Sequence, residues 1–151
     1  MATHAMATQY AMAEADIRQR IAKLTEAIRA MDIDAVMPIY APDIVSFDIE
    51  PPLRHMGAEA KKGNWSKVFA AYEHPLEYET RDLTINAGDD VAFGHTLARI
   101  GGTLKNGKKA GYWVRWTMCF RKVGGKWLIA HDQISVPIDV ASGRALLNLA
   151  P

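Results

Sequence analysis

This 151-residue chain has a single cysteine, a net charge near zero and no long apolar run. The single cysteine, Cys119, excludes an intrachain disulfide and a cysteine-rich zinc site, and its place in a strand pattern is more typical of a small buried residue than of a nucleophile. The chain has 18 Lys and Arg and 17 Asp and Glu, and it lacks a basic patch of the kind that binds nucleic acid. No apolar run approaches the length of a membrane span. We therefore expect a cytoplasmic protein without nucleic-acid or membrane partners.

The chain is long enough for one domain and too short for two of ordinary size. Residues 1–13 lack the cationic start and the Leu-rich centre of a signal peptide, so we expect them to form a flexible leader. Residues 14–151 then form the single domain. Hydrophobic residues make up 49% of the whole chain, which is sufficient for a proper core.

The order of helix and strand patterns predicts an α+β fold. Apolar residues at helical spacing predict an amphipathic helix over residues 14–30, and Asp32 or Asp34 can cap a short second helix. A third helix is predicted over residues 57–72, presenting Trp65. Strands are predicted near residues 44–49, 76–86, 90–102, 109–122 and 126–137, and turn residues separate the last four, so these form an antiparallel sheet.

The last strand, KWLIAHDQISVP over residues 126–137, carries most of the chemical information. Side chains alternate along a strand, so His131, Gln133 and Ser135 share a face with the apolar residues Trp127 and Ile129. Buried polar groups need hydrogen-bond partners, and three of them in one row have little use in a simple core. The pattern indicates the wall of a pocket.

Two glycine turns allow the strands to be paired, assuming two-residue loops and no bulges. This register sets His95 and His131 on either side of Met118. The predicted inner face, which we assign to the helices and a cavity, consists of Phe93, His95, Leu97, Arg99, Val114, Trp116, Met118, Phe120, Ile129, His131, Gln133 and Ser135. The other face has small residues and a diagonal Arg115 and Asp132 ion pair, which favours a homodimer through the sheet. A bulge would exchange the two faces locally.

Four segments of the chain resemble the SnoaL-like and ketosteroid-isomerase-like proteins of the NTF2-like superfamily. They are YAPDIVSFDIEPPLRHMG (residues 40–57), GDDVAFGHTLARI (88–100), VRWTMCFRKVGGKWLIAHDQISVP (114–137) and the closing DVASGRALLNLAP. The resemblance implies an NTF2-like cone, in which three N-terminal helices pack on a curved, mixed or antiparallel sheet around a cavity. It says little about activity, because the superfamily includes isomerases, cyclases, dehydratases and binding modules.

The resemblance implies a role for Asp48, which matches the general base of the steroid isomerases. The same enzymes stabilise the oxyanion with a tyrosine and a protonated aspartic acid, and these positions fall here on Leu24 and Trp116. Both oxyanion donors are therefore missing, which argues against steroid isomerisation by the usual route. In close relatives the last strand tends to read His-x-His-x-Ser. Gln133 replaces the second histidine here, and an amide cannot shuttle protons.

Two classes of function remain open at this point. The first is a cofactor-independent isomerase, cyclase or lyase, in which Asp48 and His131 form an acid–base pair on an apolar substrate. The second is a binding module that holds a small apolar molecule without converting it. In either case the ligand would contact His95, Gln133, Ser135, Trp65, Trp116 and Met118. We expect neither a cofactor nor a metal, since His95 and His131 lie on strands that are not neighbours. A third reading is an interaction domain whose dimer matters more than its pocket.

Overall fold

The computed structural model describes all residues 1–151 and contains three helices packed on one large sheet. The helices are α1 (Ala2–Arg29), α2 (Ile33–Val36) and α3 (Ala58–Ala71), and a 3-10 turn (Met37–Ile39) follows α2. The strands are β1 (Tyr40–Phe47), β2 (His55–Met56), β3 (Glu77–Ala87), β4 (Val91–Thr103), β5 (Lys109–Val123), β6 (Lys126–Ser135), β7 (Ile138–Asp139) and β8 (Arg144–Ala145). This is the predicted α+β cone.

The long helix α1 packs its apolar stripe against the sheet. Ile17, Ile21, Leu24 and Ile28 are all buried and recur at helical spacing. The predicted start near residue 14 is wrong, because the helix is continuous from Ala2. None of residues 2–12 is buried, so no apolar spacing marks this part of the helix in the sequence. None of the helices combines the length and the hydropathy of a membrane-spanning segment.

The six strands of the large sheet lie in the order β2-β1-β6-β5-β4-β3. All neighbouring pairs are antiparallel except β1 and β6, which run parallel, so the sheet is mixed. The parallel pair brings the end of β1 beside the polar part of β6, with Ser46 opposite Asp132 and Phe47 opposite Gln133. These two strands position Ser46 and Asp132, and Asp48 directly follows β1.

The hairpin between β4 and β5 differs from the predicted one by one residue. Leu104 donates its N–H to the carbonyl of Lys108, which leaves a three-residue loop, and Gly107 takes a positive φ of 85° within it. The register therefore sets Thr96, not Leu97, opposite Trp116. This shift turns every side chain of β4 to the other face, so His95 lies outside. The predicted inner positions of Phe93, His95, Leu97 and Arg99 were wrong.

Strand β6 contains a bulge between its apolar and polar halves. Phe120 pairs with Ile129, but the preceding residue, Cys119, pairs with His131, so Ala130 is the extra residue. Before the bulge Trp127 and Ile129 face inward as predicted, and both are buried.

After the bulge the two faces of β6 are exchanged. Asp132 and Ile134 face inward, and His131, Gln133 and Ser135 face outward. The prediction for these three residues was wrong because a single extra residue reverses the alternation.

Candidate functional site

A cavity of about 280 Å³ lies between α3 and the inner face of the sheet. Most of its lining residues are hydrophobic. The residues that line it are Tyr40, Asp48, Ile49, Glu50, Lys61, Asn64, Trp65, Lys67, Val68, Ala71, Tyr72, Tyr78, Ala98, Ile100, Tyr112, Val114, Trp116, Asp132 and Ile134. Apolar walls with a few converging polar groups are typical of a small-molecule site.

A buried ion pair closes one end of the cavity. Lys61 on α3 and Asp132 on β6 are 4% and 0% exposed, and Nζ of Lys61 lies 2.9 Å from Oδ2 of Asp132. Ser46 links the two residues, because its hydroxyl donates to Oδ1 of Asp132 and accepts a hydrogen bond from Lys61. The indole N–H of Trp116 donates to Oδ2 of Asp132 over 3.3 Å. Both buried charges are thus paired and hydrogen-bonded, as burial of charge requires.

Asp48 lies one residue beyond β1, on the same side of the strand as Ser46. Its Oδ1 accepts the backbone N–H of Ile49 over 2.8 Å, and its Oδ2 accepts the amide of Asn64 over 3.0 Å. Nζ of Lys61 lies 3.6 Å from the same Oδ2. Two hydrogen bonds and the ion-pair contact with Lys61 hold this carboxylate in place, and with 21% of its side chain exposed it remains accessible from the cavity.

Tyr40 contributes a neutral hydroxyl to the cavity. Its oxygen accepts the indole N–H of Trp65 over 3.0 Å, which leaves its own proton available to a bound molecule. Burial raises the pKa of Tyr40 above its usual range, and the negative charge of Asp132 adds to the rise. Burial likewise raises the pKa of Tyr78, with smaller contributions from Tyr40 and Asp132. Both hydroxyls therefore remain protonated donors at neutral pH.

Aromatic rings form much of the remaining wall. Trp65 contacts Tyr78 edge to face with 6.3 Å between the ring centroids, and Tyr72, Tyr112 and Trp116 line the same space. Flat rings of this kind stack on planar ligands and bury a large apolar area.

The structure brings together only part of the predicted site. Asp48, Trp65 and Trp116 line the cavity, whereas Met118 is fully buried in the core and does not. Four predicted ligand residues lie on the outer face of the sheet: His95, His131, Gln133 and Ser135.

The predicted acid–base pair of Asp48 and His131 is not assembled at the cavity. Nδ1 of His131 lies 2.6 Å from the carbonyl of Val45, so Nδ1 carries the proton and donates it. The imidazole ring packs edge-on against Phe47, with 4.7 Å between the ring centroids. Both contacts lie on the outer side of the sheet.

The predicted diagonal pair of Arg115 and Asp132 was also wrong. Arg115 donates to the hydroxyl of Ser135 on the outer face, and Asp132 faces the cavity. The bulge in β6 separates them, because it turns Asp132 inward while Arg115 remains outside.

Sequence reasoning missed Lys61, Asp132, Ser46 and Tyr40. The sequence did contain a signal for Lys61. This lysine lies four residues before Trp65 and seven before Val68, so the three side chains share the inner face of the helix. A lysine on the apolar stripe of a helix needs a buried partner. No comparable signal marked Asp132, whose orientation depends on the bulge.

The two positions that hold oxyanion donors in steroid isomerases serve other purposes here. Leu24 is a buried core residue of α1. The indole of Trp116 already donates to Asp132. The side chain of Tyr40, at the start of β1, lines the cavity.

A family model for the SnoaL-like domain matches residues 17–139 of this chain, which therefore belongs to that family. The chain is similar to an NTF2-like protein of unknown function from Pseudomonas putida KT2440, with 33% identity and a TM-score of 0.84, over 93% of this chain and 98% of that one. A comparison with curated proteins gives no match.

Two further solved structures share the NTF2-like fold at lower identity. One is a ketosteroid isomerase-like protein from Erwinia carotovora atroseptica SCRI1043, with 23% identity and a TM-score of 0.67, over 80% of this chain and 93% of that one. The other is the association domain of CaMKII from C. elegans, with 16% identity and a TM-score of 0.66, over 85% of this chain and 98% of that one. The fold thus occurs both in isomerase-like proteins and in an association domain.

Proposed function

We propose that this protein is a cofactor-independent enzyme of the isomerase or lyase type that acts on a small, largely apolar molecule. Asp48 is the general base that removes a proton from carbon. Tyr40 donates a hydrogen bond to the oxygen on which negative charge develops, and Lys61 holds Asp48 in place. This assignment keeps Asp48 from the sequence-based hypothesis and replaces His131, which lies outside the cavity.

The observation that carries the proposal is the pairing of an accessible carboxylate with a neutral hydroxyl in one apolar cavity. The carboxylate of Asp48 accepts two hydrogen bonds and lies 3.6 Å from Nζ of Lys61, so lone pairs remain for a substrate proton. The proton of Tyr40 has no acceptor in the protein that would compete with a substrate oxygen. In a low-dielectric site, one such donor contributes roughly 3 kcal/mol of transition-state stabilisation.

A proton-exchange experiment tests the general base without knowledge of the natural substrate. We would incubate the protein with 1-tetralone, an enolisable two-ring ketone, in deuterated buffer and follow loss of the protons next to the carbonyl by NMR. The protein should accelerate this exchange, and Asp48→Asn should abolish the acceleration. Tyr40→Phe should reduce it about a hundredfold.

The matched control is Asp43→Asn on β1, the strand that ends just before Asp48. Asp43 pairs with Arg121 on the surface, with 2.9 Å between Oδ1 of Asp43 and Nη2 of Arg121, and is not part of the cavity lining. This variant should exchange protons as fast as the wild type. Undiminished exchange in Asp48→Asn would exclude Asp48 as the base.

The second candidate is a binding module that holds an apolar molecule unchanged. The predominance of hydrophobic lining residues favours it, since binding needs no more than the walls provide. Tight binding of 1-tetralone without accelerated exchange would support this candidate.

The cytoplasmic location stays a prediction from the sequence.

We further propose that the protein forms a homodimer through the outer face of the sheet. Phe93 and Phe47 are 51% and 40% exposed there, and Thr117 lies near the middle of that face. Thr117→Glu should then yield monomers in analytical ultracentrifugation. A dimer that persists in this variant would place the contact elsewhere.

A further inference from the structure

The chain after β6 forms a hairpin that takes no part in the hydrophobic core. The C-terminal arm, residues 138–149, contains β7 and β8, which pair only with each other. No residue of the arm is buried, and none packs against the core. The last hydrophobic side chain that does so is Val136, two residues before the arm. The arm therefore gains nothing from the packing that stabilises the rest of the subunit.

The arm nevertheless has a defined shape. Its turn is fixed by Asp139, whose Oδ2 accepts the hydroxyl of Ser142 over 2.6 Å and whose carbonyl accepts the N–H of Gly143 over 2.7 Å. Leu146 donates its N–H to the carbonyl of Pro137 over 2.9 Å, which closes the base of the hairpin. A single hairpin of two short strands is marginally stable in water, so the arm needs a second surface to pack on.

The side chains that the arm presents to solvent are large and aliphatic. The exposed fractions are 59% for Ile138, 87% for Val140, 47% for Leu147 and 47% for Leu149. One exposed aliphatic residue is ordinary on a protein surface, whereas several on one short segment mark a contact surface.

The charges of the arm favour an uncharged partner surface. The arm has no net charge, because Asp139 and Arg144 cancel each other. The middle of the outer face of the sheet offers uncharged side chains, among them Phe47, Phe93 and Thr117. The two surfaces therefore match in character.

The areas of the two surfaces match what a dimer needs. Phe47 and Phe93 together expose on the order of 200 Å², and the four aliphatic side chains of the arm expose about 200 Å² more. An interface of standard size buries about 800 Å² per subunit, of which about 60% is apolar. The phenylalanines alone supply less than half of that apolar area, and the arm supplies most of the rest.

The position and length of the arm also suit a second copy. Strand β6 ends at Ser135, whose side chain lies on the outer face, so the arm begins at the edge of that surface. Four extended residues reach about 13 Å, which exceeds the roughly 10 Å between stacked sheets. The arm is thus long enough to cross from one sheet to another that is stacked on it.

We propose that the C-terminal arm of each subunit docks on the outer face of the sheet of a second copy, so that two arms are exchanged about a two-fold axis. The proposal rests on the proposed homodimer, because it uses the same face. It assigns residues 138–149 to association of subunits.

Charged substitutions on the arm test the contact by sedimentation equilibrium. Val140→Glu combined with Leu147→Glu should raise the dissociation constant of the dimer at least about a hundredfold. Both side chains are exposed within the subunit, so the circular dichroism spectrum should stay that of the wild type. An unchanged dissociation constant would overturn the proposal.

The matched control places two glutamates on α1, which packs on the inner side of the sheet. Met6 and Met12 are 48% and 65% exposed, close to the values on the arm. Met6→Glu combined with Met12→Glu should leave the dissociation constant of the dimer unchanged. An equal rise in this variant would overturn the proposal, because added charge alone would then explain the effect.

Comparison with Thr117→Glu separates the arm from the proposed dimer. Dissociation of the dimer by both the arm variant and Thr117→Glu supports the proposal. Dissociation by Thr117→Glu alone would overturn the role of the arm and leave the outer-face dimer standing. Dissociation by the arm variant alone would overturn docking on the outer face. A wild-type protein that is monomeric at micromolar concentration would overturn both proposals.

A nitroxide label locates the docked arm directly. Ala141→Cys in a chain with Cys119→Ser places the label at the tip of the arm and removes the native thiol. In dimers mixed from nitroxide-labelled and isotope-labelled chains, the label should broaden the amide NMR signals of Phe93 and Thr117 in the isotope-labelled chain. Broadening confined to the cavity residues Trp65 and Tyr72, or no broadening, would overturn the proposal.

Discussion

The two faces of strand β6 carry similar polar groups but hold them in different ways. On the inner face Asp132 is fully buried and contacts three donors, from Ser46, Lys61 and Trp116. On the outer face Gln133 is exposed, and the hydroxyl of Ser135 contacts only Arg115. The comparison shows that a polar residue on a strand indicates a functional site only where neighbouring strands and helices supply partners that exclude water.

The largest expected effect comes from breaking the inner ion pair. Lys61→Met leaves the charge of Asp132 buried without its cation, and it should lower the free energy of unfolding by about 3–5 kcal/mol. Guanidinium denaturation followed by circular dichroism measures this loss. The double variant Lys61→Met with Asp132→Leu should recover most of it, because no buried charge remains.

An outer ion pair provides the matched control for this variant. Arg81 and Glu79 lie 3.9 Å apart and both are half exposed. Arg81→Met should change the free energy of unfolding by less than about 1 kcal/mol, since solvent screens the pair. Equal losses in Lys61→Met and Arg81→Met would contradict the distinction between the two faces.

Alkaline pH should weaken the cavity side of the molecule next. Burial raises the pKa of Tyr40 and Tyr78 in the folded protein above the usual value of 10.0, so the folded state retains protons that the unfolded state has lost. Their contribution to stability is complete below about pH 10 and is lost above it, by about 1.4 kcal/mol per pH unit for each tyrosine. Between about pH 8 and 11, the free energy of unfolding should therefore decrease less steeply with pH in Tyr40→Phe than in the wild type. Denaturation curves recorded across this range measure the slope, and identical slopes in the two proteins would refute the argument.

Removal of the indole hydrogen bond to Asp132 should also destabilise the protein, though by less than loss of the inner ion pair. Trp116→Phe removes a donor from a buried carboxylate and should cost roughly 1.5–3 kcal/mol in the free energy of unfolding. The outer-face counterpart is Trp113→Phe, which weakens only the stacking of Arg81 at 4.8 Å from the ring centroid and should cost less than about 1 kcal/mol. A larger loss for Trp113→Phe would reverse the comparison.

The smallest effect is expected at the exposed amide of the outer face. Gln133→Ala should change the free energy of unfolding by no more than about 0.5 kcal/mol. It should also leave the affinity for 1-tetralone unchanged. A clear loss of affinity in this variant would show that ligands bind to the outer face of β6, where His131, Gln133 and Ser135 lie.

The architecture was predictable from the sequence because it depends on regular patterns. The apolar stripe of α1 and the turn residues between the strands identified the helices and the four long strands, with boundaries shifted mainly at Ala2. The resemblance to the SnoaL-like family supplied the cone. Asp48, Trp65 and Trp116 line the cavity, and none of these positions depends on the register of β4 or on the second half of β6.

The polar end of the cavity was not predictable, because two single-residue features decide which face each side chain takes. The three-residue loop before Lys108 reversed β4, and the bulge at Ala130 reversed the second half of β6. Glycine and asparagine at a turn permit loops of two or three residues, and a bulge leaves no reliable sequence pattern. The partner of Asp132 also comes from a distant helix.

The central claim, that ligands bind on the inner face of the sheet, can be tested through the four tryptophan indole N–H signals in an NMR titration with 1-tetralone. Trp65 and Trp116 line the cavity, Trp113 lies under Arg81 on the outer face, and Trp127 is buried in the core. The account predicts that the signals of Trp65 and Trp116 shift to saturation while those of Trp113 and Trp127 stay in place. A shift confined to Trp113, or no shift at all, would contradict it.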